Sequence, residues 1–245
     1  MSSSLEAPLS SRQRAALETL VTDLERVFGT RLRSVVAYGL EVASTDGELR
    51  TLAMLDGLSA DDLHQLAPTI RSWQRLGLAV PLLLTPHEFL RTLDVFPLEY
   101  GNIIDTHVVV RGQNPFANVQ VPESDRRRGC ELEAKSHLIH LREGFLEAEG
   151  NASQVSRLIV RSAPAFRTIL SNIIRLERGS DPAPRLDDHE LAAAAEGIMG
   201  VPAALVIEVL SSASGLSAAA DPAALFARYV ESSERVWHYV DGWRS

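Results

Sequence analysis

The stretch Leu32–Asp56, LRSVVAYGLEVASTDGELRTLAMLD, most constrains what this chain can fold into. It opens on an apolar, β-branched run that stops at Gly39 and closes on a second run that stops at Asp56. Short apolar runs bounded by turn residues predict buried strands, here Leu32–Tyr38 and Leu49–Leu55. The connection between them carries a glycine and two acids, Asp46 and Glu48.

Helix signals surround these strands. Ser10 or Ser11 caps a helix to Phe28, with Ala16, Leu17, Leu20, Leu24 and Val27 at helical spacing and Gly29 as its stop. Ser59 and Asp62 form a capping-box start for a helix to about Leu76. Leu78–Leu84 reads as a third strand, placed at an edge or bulge by Pro81. Thr85-Pro86-His87-Glu88 starts another helix. Alternation in Val95–Tyr100 predicts a strand with Val95, Pro97 and Glu99 on one face. His107–Val110 predicts a last short strand, and His107 itself reads as structural. Strands interleaved with helices predict a small mixed sheet with flanking helices over residues 1–118.

From about Ser124 the pattern turns helical. Helices are expected over Ser124–Glu149, Asn151–Arg178 with Pro164 inside, Asp187 to Gly200, Pro202–Ser212, and from Asp221 onward. Residues 119–245 are therefore expected to form an all-α bundle, and the chain as a whole an α+β protein.

Composition narrows the function. A net charge of −8 and a pI near 5.4 argue against general nucleic-acid binding. The one cysteine, Cys130, excludes an internal disulfide; the reading is a buried, inert thiol in a cytoplasmic protein. No apolar run reaches membrane-span length, and the N-terminus lacks the pattern of a signal peptide.

The first bundle helix carries the most informative arithmetic. On a helical wheel, Glu131, Lys135 and Arg142 fall inside the arc of Leu132, Leu138, Ile139, Leu141, Phe145 and Leu146, while His137 and His140 fall on the far face. Charges on a core-facing stripe need partners or a ligand. One reading is an ion-pair cluster, Glu131 with Lys135 at i,i+4 and Arg142 with an acid of the sheet. The other is an anion-receiving cleft, with Lys135 and Arg142 at phosphates. His137, His140 and His189 complete no metal set and read as surface residues, and Arg126-Arg127-Arg128 reads as a solvated basic cluster. Trp237, Tyr239 and Trp243 read either as bundle packing or as a homodimer patch.

This order of elements resembles the nucleotidyltransferase superfamily of the DNA polymerase β type, and within it small bacterial enzymes of the aminoglycoside-modifying kind. The resemblance rests on the strand Ser34–Tyr38 ending in Gly39, the acid-bearing connection, and the helical second half. It implies a first strand ending in Gly-Ser and an Asp-x-Asp opening the second strand. It also implies a third carboxylate from a later strand, the three acids holding two Mg²⁺. Mapped onto this sequence, Gly39 is the nucleotide-binding glycine and Asp46, Glu48 and Glu99 are the metal candidates. Glu131 matches the family's bundle base, and Lys135, four residues on, its phosphate-contacting lysine. The sequence departs from the pattern where Leu40 follows Gly39 and where Asp46-x-Glu48 stands for Asp-x-Asp, close behind the glycine.

Two functions follow. The first is a nucleotidyltransferase-fold protein that has lost metal-dependent catalysis and serves as a nucleotide-binding or protein-interaction module. The second is an active, divergent, Mg²⁺-dependent transferase moving a nucleoside monophosphate from a nucleoside triphosphate to a small-molecule or protein hydroxyl. In the second, Glu99 and Glu131 are catalytic.

Overall fold

A computed structural model describes residues 9–39, 48–179, 186–213 and 221–244. The chain divides into two compact units, Met1–Val121 and Pro122–Ser245.

The first unit begins with α1 (Ser11–Phe28), which starts where its capping signal lies: the Ser10 hydroxyl accepts from the Gln13 amide and the Gln13 side chain returns to the Ser10 N–H. Strands β1 (Leu32–Tyr38) and β2 (Arg50–Leu55) follow and pair antiparallel, Val35 opposite Ala53. The helix expected from Ser59 starts there but breaks into α2 (Ala60–Leu66), one 3-10 turn at Ala67–Thr69 and α3 (Ile70–Arg75). Pro68 supplies the break, because it has no N–H to donate to the preceding turn. Then come β3 (Leu82–Leu84), α4 (Pro86–Arg91), α5 (Pro97–Thr106) and β4 (Val108–Gly112). Sheet order is β3-β2-β1-β4, with β3 parallel to β2 and β4 antiparallel to β1. The strand after Pro81 is thus an edge strand, as proline there requires.

Both faces of this small sheet are covered, which is why its central strands lack alternation. Val35, Ala37, Ala53 and Leu55 pack with Leu17, Leu20 and Leu24 of α1 and with Trp73 of α3. Val36, Leu52 and Met54 pack on the other face with Phe89 of α4, Tyr100 and Ile103 of α5, and Phe116. Each such side chain, fully buried, contributes roughly 1.5–3 kcal/mol. Polar groups at the edges of these layers are paired. Trp73 Nε1 donates to Asp23 at 2.9 Å. The Arg31 guanidinium forks onto buried Asp62 at 2.7 and 2.8 Å, and Asp62 also caps α2 through Ser59, so its carboxyl is held far below the usual range.

The second unit holds α6 (Glu123–Glu147), α7 (Ala152–Arg178), α8 (Asp188–Met199), α9 (Ala203–Ala213) and α10 (Pro222–Asp241). Asn151, Asp187 and Asp221 cap α7, α8 and α10 with their side chains. α6 packs on α7 and α10, and α7 on α9.

Two features of this unit correct the sequence reading. The wheel places the core face of α6 about a quarter turn from where it lies. Its buried side chains are Arg126, Cys130, Ala134, His137, Leu138 and Leu141, while Leu132 and Leu146 are 66% and 76% exposed. Small residues help choose the face: a Cβ on Gly144 would stand 2.7 Å from Leu158 Cδ1 of α7. The second correction concerns His137 and the triple arginine. His137 is buried against Tyr229 and Phe166 rather than solvated. Arg126 is buried, while Arg127 and Arg128 keep the expected solvent exposure and pair with Glu123 and Asp125.

Candidate functional site

The C-terminal end of β1 is where the expected site begins. Gly39 closes the strand in the left-handed region at φ 67°, which a side-chain-bearing residue rarely adopts. Across the ladder Tyr38 faces Arg50, and the Arg50 side chain runs beside Gly39, its Cδ 4.0 Å from where a Cβ would stand. Arg50 is exposed and forms no ion pair among the described residues. Half-buried Tyr38 sits next to Arg50 and to Tyr100 of α5; burial pushes its hydroxyl above the usual phenol range, Arg50 acting against it. This end of the sheet therefore holds a glycine turn, an accessible guanidinium and two tyrosines. Sequence reasoning passed over Arg50; its signal was its place as the first residue of β2, directly opposite the last residue of β1.

The acidic candidates fall differently. Asp46 lies outside the described residues. Glu48 is exposed just ahead of β2, where Leu49 bonds to the Gly77 carbonyl and bridges to Leu78. Glu99 is not on a strand. Val95–Tyr100 runs into α5, whose first turn contains Pro97 and Glu99. Proline at the first helical position and a carboxylate in the first turn are helix-starting signals, and over six residues they outweigh alternation. Asp56, at the end of β2, pairs with Arg33.

The bundle candidates Glu131, Lys135 and Arg142 all lie on α6. Glu131 and Lys135 are half-buried and Arg142 is exposed. Lys135 Nζ stands 3.4 Å over the ring centroid of Trp237, and Arg142 pairs with Glu234 of α10. The acid that meets Arg142 thus comes from the bundle and not from the sheet. Trp237 and Tyr239 are half-buried, Tyr239 edge-on against Trp243 at 5.9 Å. His107 is structural, its ring nitrogens on the Ile104 carbonyl and the Asn114 side chain.

A small mixed sheet with flanking helices followed by an all-α unit defines a nucleotidyltransferase-like α+β fold. A solved structure that shares it is a spectinomycin adenyltransferase, AAD(9) from Enterococcus faecialis, determined with ATP and spectinomycin. The match has a TM-score of 0.57 at 10% sequence identity and covers 91% of this chain and 98% of that one. At that identity the likeness establishes the fold alone. No family model and no curated sequence matches the chain.

The fold family implies two Mg²⁺ held by carboxylates of the sheet. Of the three acids assigned to them, Asp46 lies outside the described residues, Glu48 stands just ahead of β2 and Glu99 in α5, and none of the four strands itself carries an Asp or Glu. Among the described residues no three His, Cys, Asp or Glu side chains come close enough to share an ion. No helix among them is long and apolar enough to cross a membrane.

Proposed function

We propose that this chain is a nucleotide-binding module built on a nucleotidyltransferase-like fold, without the metal-dependent transfer chemistry of that fold. The observation that carries the reading is the exchange of charge at the end of β1. Neither β1 nor β2 carries a carboxylate within it, Glu48 lying just ahead of β2, and Arg50 stands beside Gly39. A carboxylate pair needs a divalent ion before it can receive a triphosphate. A guanidinium next to a glycine turn receives phosphate oxygens directly, by forked hydrogen bonds and charge. The spectinomycin adenyltransferase of similar fold was solved with ATP, so a nucleoside triphosphate is the ligand to try first. The fold is retained on this reading because it binds; the same surface then serves interaction with a protein partner when nucleotide is bound.

The test is a thermal-shift and calorimetric titration with ATP, with and without Mg²⁺, on the whole chain. ATP raises the melting temperature equally in both, because a ligand that binds only the native state stabilises it. Arg50→Met lowers the affinity by roughly tenfold, the loss of one charge-assisted pair. No pyrophosphate is released. Mg²⁺-dependent pyrophosphate release that vanishes in Glu99→Ala overturns the reading in favour of an active transferase.

A further inference from the structure

We propose that the cavity beneath α4 is a binding site for a small, neutral, flat and largely apolar molecule carrying one hydrogen-bonding group, which it seats against the Ser34 hydroxyl. The cavity encloses about 380 Å³, within the range of small-molecule pockets, and lies wholly inside the first unit. Its apolar walls are Met54, Pro86, Phe89, Leu90 and Val119, and its lining includes Ser34 and the exposed Gln113.

Ser34 is the informative member. It is 2% exposed, and its Oγ is buried with no hydrogen-bond partner. Buried hydroxyls nearly always find one. Its position explains why it has none: β1 is bulged here, with Ser34 opposite Met54 on one side and Gly112 on the other. The neighbouring strands offer it an apolar side chain and no side chain at all. Rotation about the C–O bond lets the hydroxyl donate to, or accept from, whatever polar atom enters.

Charge selects a neutral occupant. Arg33 lines the cavity, but its guanidinium is paired with Asp56. Asn114 lines it too; its Oδ1 already accepts from the Phe116 amide at 2.9 Å and lies 3.0 Å from His107 Nε2, which leaves its amide nitrogen. An anion would have to share Arg33 with Asp56 and would meet no other cation in the lining, so burying its charge is poorly compensated. Shape selects a flat one. Phe89 is held by a stacked Tyr100 at 4.6 Å and a tilted Phe116 at 5.0 Å, so the aromatic wall is fixed. The site is distinct from the nucleotide end: five residues of extended strand separate Ser34 from Gly39, about 16 Å.

The sequence contains three methionines, Met1, Met54 and Met199, and Met54 is the one that lines the cavity. The whole chain, labelled with ¹³C at its methionine methyls, is titrated with 2-naphthol and separately with 2-naphthoate. The Met54 signal moves saturably with 2-naphthol while Met199 stays, and 2-naphthoate binds at least tenfold more weakly. Ser34→Ala weakens 2-naphthol about tenfold, the loss of one hydrogen bond. Leu90→Trp, which closes the half-exposed mouth without touching Ser34, abolishes the movement. The proposal is overturned if Met54 is unmoved up to the solubility limit, if Ser34→Ala binds as the wild type does, or if the anion binds as tightly as the phenol.

Discussion

The Tyr229 hydroxyl lies 2.9 Å from Nε2 of His137 in the interior of the helical bundle. The imidazole is 8% exposed and stacks on Phe166 at 5.7 Å. Burial first, then nearby His140, pushes its pKa down to about 4, so it is neutral in the folded chain. In the unfolded chain it titrates near 6.5. The folded state therefore binds fewer protons between these values, and stability must fall as pH drops through that window. From above pH 6.5 down to pH 4 the loss is roughly 3 kcal/mol. Urea unfolding at half-unit pH steps shows this slope, and His137→Phe flattens it. Tyr229→Phe leaves the imidazole nitrogen unpaired and costs about 1–3 kcal/mol.

Two glycines with positive φ are expected to respond very differently to alanine. At Gly39 the space is open, Arg50 Cδ being 4.0 Å from the new methyl, so Gly39→Ala pays only backbone strain of about 1–2 kcal/mol. At Gly112 a Cβ would stand 2.1 Å from the Arg33 carbonyl oxygen, a backbone atom that cannot swing away. Gly112→Ala should cost roughly 3 kcal/mol or more and break the β1–β4 pairing. Comparison of the two melting temperatures, with amide exchange on β4, checks the order.

Lys135 Nζ over the Trp237 ring makes Trp237 fluorescence a reporter of α6–α10 packing. Lys135→Met removes the cation and should lower stability by about 0.5–2 kcal/mol, with a shift in tryptophan emission. Arg142→Met, whose pair with Glu234 is exposed on both sides, should cost under about 1 kcal/mol. ATP titrations of both variants measure the phosphate role that the sequence spacing implies for them; a large loss of affinity with little loss of stability assigns it.

Cys130 is fully buried on the core face of α6, and burial pushes its thiol up to about 12. It should react with iodoacetamide at pH 8 only as fast as the chain opens, and at the rate of a free thiol in denaturant. Fast labelling of the native chain contradicts the burial of this face.

Much of the first unit was legible because its signals are local. The capping boxes at Ser10, Ser59 and Thr85 start helices where they stand. Each is a contest over one or two backbone N–H groups, settled by residues within four positions. The runs of β1 and β2 were equally plain, since a strand covered on both faces admits only apolar residues. Val95–Tyr100 was misread because six residues of alternation also fit the entry to α5, and Pro97 with Glu99 decides for the helix. The candidate site was half legible. Gly39 stands at the end of the strand where it was expected, but Arg50 became a candidate only when the β1–β2 register set it opposite Tyr38.

By itself the sequence determined most of the helix starts, the two central strands and the turn to an all-helical second half, because each rests on residues a few positions apart. Tertiary structure alone decided which face of α6 is buried, because helices close on small residues such as Ala134 and Gly144 rather than on the largest apolar ones. It also decided that His137 is a core residue and that Ser34 has no partner. Both depend on what a distant segment places within 3 Å, and no local pattern encodes that.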